Sequence, residues 1–94
     1  MSKIIEQVDV IAEFKSDGTI IPMRFRILNE NGEYQQFTIK AVKQADKKGA
    51  YTTEDGLYVS NADLVFQCKI ITLDTERFVR LYFHPHTCSW RLGF

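Results

Sequence analysis

His84, His86 and Cys88 stand at i, i+2 and i+4 in the segment HPHTC. A fully extended backbone would turn all three side chains to one side, and Cys68 could approach from a neighbouring strand. Imidazole nitrogen and thiolate sulfur are ligands that tetrahedral zinc accepts, which makes these four residues a candidate metal site. Against it stand the intervening Pro85, the lack of a paired C-x-x-C spacing, and the place of Cys88 on the same alternating face as Trp90, Leu92 and Phe94. The residues read instead as two histidines in an exposed turn and two apolar thiols in a core, with no metal and no cofactor. A thiol packed beside Trp90 would also have a raised pKa and poor access, so Cys88 is not expected to act as a nucleophile.

Other catalytic constellations fail on distance or spacing. Asp9 and Glu13 share one face of a strand, but four residues at about 3.3 Å each separate them by roughly 13 Å, too far for a shared proton or a glycosidase pair. The five glycines are scattered singly, so no phosphate-cradling loop or dinucleotide fingerprint exists. The chain is not expected to be an enzyme.

Binding is better supported. Strand cations are expected opposite the apolar faces, and Arg24, Arg26, Lys40 and Arg80 could merge across adjacent strands into one basic surface. Tyr82 follows Arg80 at i+2, which adds a ring for base stacking and gives the ingredients of single-stranded nucleic-acid binding. Phe66, Phe78 and Tyr82 have the parity opposite to Val79, Leu81 and Phe83, so the expected inner face cannot take all of these rings. A surplus apolar face points to protein–protein interaction or a homodimer. Protein binding through Phe66, Phe78 and Tyr82 is therefore the first expectation, and nucleic-acid binding the second.

The elements that must position these residues are strands. The pattern VDVIAEF alternates Val8, Val10, Ala12 and Phe14 against Asp9 and Glu13, with Ile11 the exception. In IIPMRFRIL, Met23, Phe25 and Ile27 oppose Arg24, Arg26 and Leu28, and Pro22 places the start of that strand at an edge or bulge. Turn chemistry separates the runs at Ser16–Thr19 and at Asn29–Gly32. A third strand covers about 33–43, with Phe37, Ile39 and Ala41 alternating with Thr38, Lys40 and Val42. The stretch 44–63 is a connector in which Leu57-Tyr58-Val59 is a short strand candidate. LVFQCKIIT and RFVRLYFH form a hairpin through Asp74-Thr75-Glu76, and TCSWRLGF is the last strand.

Ninety-four residues make one domain over 1–94. Six or seven antiparallel strands in successive hairpins predict a small barrel, with a two-sheet sandwich as the alternative. A composition of 45% hydrophobic and 26% charged residues is that of a globular protein, and twelve basic against twelve acidic residues announce no polyanionic or membrane partner. No apolar run approaches a signal-peptide core or a membrane helix, so the cytoplasm is the expected compartment, where two cysteines stay reduced.

The opening VDVIAEF with its DG turn and IIPMRFRI, the downstream LVFQCKI and the terminal TCSWRL resemble a set of small uncharacterised bacterial proteins. These share an opening of the form VDVIA-F-x-x-x-G-x-I-x-P-x-R-F-R and a Thr-Cys-x-Trp ending. The likeness covers about two thirds of the chain and leaves out 49–61. It implies one intact domain and no assigned activity; distantly similar proteins imply a DNA-repair context for the nucleic-acid alternative.

Overall fold

A computed structural model describes residues 4–45, 50–53, 56–59 and 63–94. Parts of the expected connector, residues 46–49, 54–55 and 60–62, lie outside the described residues. The described residues contain ten strands and no helix: β1 (Ile4–Ile5), β2 (Val8–Phe14), β3 (Ile20–Leu28), β4 (Tyr34–Thr38), β5 (Ala41–Gln44), β6 (Tyr51–Thr52), β7 (Tyr58–Val59), β8 (Leu64–Thr72), β9 (Thr75–His84) and β10 (Ser89–Gly93). None of the described elements is a helix long and apolar enough to cross a membrane.

All pairing among the described residues is antiparallel. One sheet has the order β1-β10-β9-β8-β5, a second β2-β3-β4, and β6 with β7 forms a separate two-stranded ladder. The all-β class is as expected, but the sheets do not close into a barrel. They pack face to face as two layers joined by chain that switches sheet at corners, the arrangement of a sandwich. Closure fails where β2 leaves β10. On that side β1 reaches only Leu92 and Gly93, and a groove of about 600 Å³, lined in part by Val8, Val10, Leu28, Ser89 and Trp90, separates the edges.

Period-two alternation explains the core. Val8, Phe25 and Ile27 come from the three-stranded sheet, and Phe66, Cys68, Ile70, Val79, Leu81, Phe83, Trp90 and Leu92 from the five-stranded one. Trp90 lies between Phe83 and Phe66, with ring centroids 4.6 and 5.9 Å away. Phe37 stacks on Phe25 at 5.1 Å. Those pairs lie within one sheet or the other; across the layers the ring of Phe14 on β2 meets that of Phe83 on β9 edge-on at 6.1 Å, and burying one core ring is worth a few kcal/mol.

Two expected parities are corrected. Met23 is exposed rather than inward, because the β2–β3 register jumps from Ile11↔Arg24 to Ala12↔Pro22 and leaves Met23 unpaired at the bulge. Pro22, which has no amide to donate, is buried at the same place. The expected single strand at 33–43 is two strands in different sheets. The chain turns the corner at Ile39-Lys40, which inverts the parity beyond it, so Val42 packs on the core and Ala41 is exposed.

The turns follow the chemistry read from their residues. Lys15 N–H donates to the Thr19 carbonyl and Gly18 N–H to that of Lys15; the same pair of bonds recurs from Asn29 to Glu33 and from Gly32 to Asn29. Gly18 and Gly32 take φ of 92° and 79°, the left-handed position that closes a three-residue hairpin loop. Phe25→Ala should cost about 3–5 kcal/mol, the usual range for emptying a buried ring. Met23→Ser should stay within about 0.5 kcal/mol. Urea denaturation of the two variants checks both, and equal effects would put Met23 in the core.

Candidate functional site

The outer face of the five-stranded sheet is built from residues that alternate with the core. Its rows follow from the register: Ala41–Lys69–Phe78, then Lys43–Gln67–Arg80–Gly93, then Val65–Tyr82–Arg91. One end of this face is covered. Val59 packs with Val65 and Tyr82, joined by Ile4, Ala45 and Leu57, in a second small core. The ladder β6–β7 supplies this cover, and its loop bonds, Thr53 N–H to Leu57 and Gly56 N–H to Thr53, repeat the hairpin pattern.

The other end is bare. Phe78 is 70% exposed in mid-strand, and Leu73 is 98% exposed at the tip of the β8–β9 hairpin. Ile71, also exposed, is diagonal to Phe78 on the same face. Leu73 and Asp74 hold φ of 49° and 63°, so the turn is a two-residue loop at this pair rather than at Asp74–Glu76. Around Phe78, Lys69 lies 3.5 Å from Glu76. Among the described residues Lys43 and Arg80 have no carboxylate partner. Gly93 puts no side chain into its row, where a Cβ would meet the Tyr82 ring at 3.2 Å. Beside it lies a hollow of about 400 Å³, lined by Gln67, Phe78, Arg80, Tyr82, Gly93 and Phe94.

Of the expected interface trio, only Phe78 reaches solvent. Phe66 pairs with Leu81 and shares the inner face, so its assignment to the outer parity is corrected. Tyr82 does sit on the outer face, but the β6–β7 cover leaves it 1% exposed. The expected basic surface is divided. Arg24 and Arg26 alternate with core residues of the three-stranded sheet, Arg80 with core residues of the other, and Lys40 stands at the corner between them. Arg26 is also engaged: its Nε donates to Asp9 Oδ2 at 2.8 Å, and its guanidinium lies 4.1 Å from the centre of the Tyr34 ring. The Asp9 hydrogen bond raises the Arg26 pKa further.

The candidate metal residues do not converge. Residues 85–88 turn instead of extending, which breaks the i, i+2, i+4 geometry and leaves Cys88 exposed with φ of 50° rather than in the core. Among the described residues no three His, Cys, Asp or Glu side chains are grouped to hold a metal. His84 is engaged on both ring nitrogens. Nδ1 lies 2.8 Å from Oδ1 of buried Asp63, and Arg91 Nη1 donates to Nε2. That bonding puts the ring proton on Nδ1, donated to Asp63. The Arg91 Nε then lies 3.7 Å from Glu6. The chain of contacts pins the end of the connector to β9 and β10. No local pattern marks Asp63 in the sequence, because its partner is 21 residues away.

Comparison with protein-family models, with curated proteins and with solved structures finds no match to this chain.

Burial pushes the Cys68 thiol up from 9.0 to about 12. Alkylating reagent should label Cys88 within the native protein and Cys68 only on unfolding; comparable rates would contradict the packing of β8. The raised pKa also sets a pH dependence. Below the unfolded pKa both states hold the proton; between pH 9 and 12 only the unfolded chain releases it, so stability is lost as pH rises through that window. Cys68→Ala should remove this part of the alkaline loss when denaturation midpoints are compared at pH 8 and near pH 10.

Proposed function

We propose that the protein is a non-enzymatic binding module of the cytoplasm that docks a protein partner through the bare end of its five-stranded sheet. One observation carries this reading: Phe78, 70% exposed in the middle of a strand whose other outward ring, Tyr82, is covered. Solvating a phenyl ring at the centre of a sheet forgoes burial worth roughly 2–3 kcal/mol. Ile71 and Leu73 extend the apolar patch, and Lys43, Lys69 and Arg80 rim it. A partner surface that presents apolar side chains ringed by carboxylates matches it, with the aromatic as the central anchor.

A second reading rests on the same hollow. Phe78 offers a ring for stacking and Arg80 and Lys43 supply cations without carboxylate partners among the described residues, which suits a single-stranded polynucleotide.

A photo-crosslinking phenylalanine analogue placed at position 78 tests both readings in cells. A discrete protein adduct supports the first, a nuclease-sensitive adduct supports the second, and no adduct sinks both. In vitro, Phe78→Ser should leave the fold intact and abolish partner capture, since the ring contributes nothing to either core. A single-stranded oligonucleotide should bind only under the second reading, with an affinity that falls steeply with salt and weakens in Arg80→Ser.

A further inference from the structure

A sheet edge presents a row of unpaired amides and carbonyls, and proteins blunt such rows with charge, bulges, proline or shortness. The exposed edges of this fold are blunted unequally. β1 is two residues long, β5 carries Lys43, and β2 carries Asp9 and Glu13 opposite the bulge that Met23 makes in β3. β4, with the sequence YQQFT, has no charge, no proline and no bulge.

The direction of its free groups follows from the bonds at its ends. Asn29 N–H donates to the Glu33 carbonyl and Ile39 N–H to that of Met23, so the odd-numbered residues of β4 bond inward to β3. By alternation Tyr34, Gln36 and Thr38 point their N–H and C=O groups away from β3. Lys40, next in that series, donates in the same outward direction, to the Lys69 carbonyl of β8. Over Tyr34–Thr38 no strand takes up the row among the described residues.

We infer that β4 pairs antiparallel with β4 of a second copy of this chain, about a two-fold axis at Gln36. Charge selects this edge and this occupant. Antiparallel self-pairing of β2 about Ile11 would set Asp9 against Glu13 of the partner subunit, acid against acid. Self-pairing of β4 sets Gln36 against Gln36 of the partner subunit and Tyr34 against Thr38 of the partner subunit, with no charge opposed. The outer row is also held in place, because Arg26 is fixed between Asp9 and the Tyr34 ring. The two three-stranded sheets become one continuous six-stranded sheet, a closed isologous contact. The Phe78 face lies on the other layer and stays free, so the dimer presents two docking faces to a partner and gains avidity from them.

The test uses the self-opposed position. The wild-type chain should sediment as a dimer at tens of micromolar. Gln36→Lys alone and Gln36→Glu alone should each be monomeric at low salt, with unchanged circular dichroism, since the side chain is solvent-exposed. An equimolar mixture of the two variants should restore a dimer, now heteromeric, which a folding defect could not do. Phe78→Ser should remain dimeric, which separates this inference from the docking reading. A monomeric wild type, a mixture that stays monomeric, or a dimer lost in Phe78→Ser but kept in Gln36→Lys overturns it.

Discussion

Two successive backbone amides join the layers of this molecule: Ile39 N–H bonds to Met23 in one sheet and Lys40 N–H to Lys69 in the other. Because neighbouring amides in an extended chain point opposite ways, one dipeptide serves both sheets without an unpaired donor. Everything else depends on that corner. It delivers Phe37 to the face of Phe25 and Val42 to the same core, and it leaves β4 and β5 with different neighbours.

The layers separate the chemistry. Core residues face each other, so alternating polar residues are sent to two outer faces that cannot cooperate, and cations that seem to belong together along the chain are divided between them. The site that remains on the five-stranded sheet is defined as much by its cover as by its residues. Tyr82 and Phe78 have the same parity four residues apart, yet one is buried beneath Val59 and the other is solvated. The buried Asp63 to His84 contact, continued through Arg91, fixes where that cover ends.

Local patterns were legible and long-range ones were not. The Asp17-Gly18 and Asn31-Gly32 turns, the alternation of Phe25 and Ile27 with Arg24 and Arg26, and the apolar runs of β8 and β9 all follow from side-chain chemistry within a few residues. The bulge that exposes Met23 requires a partner strand, and the corner that inverts parity at Ala41 and Val42 requires two. Cys88 departs from the alternation of β10 because residues 85–88 turn, and Phe66 departs from the expected parity because the register across the β8–β9 hairpin is set by pairing rather than by local pattern. Phe78 alone of the expected aromatic trio is exposed, since parity can be counted along a strand while the cover over Tyr82 cannot.

The strand order carries a consequence for synthesis on the ribosome. β2, β3 and β4 are neighbours both in sequence and in space, whereas the opposite layer is centred on β8, β9 and β10, which are made later. The first sheet can therefore assemble while its inner side, with Val8, Phe25 and Ile27, still lacks the surface that shields it from water. During that interval the nascent half-sandwich is an apolar slab attached to a growing chain, a species that chaperones hold and that crowded neighbours can capture. Its lifetime is set by how quickly residues 65–94 follow it out.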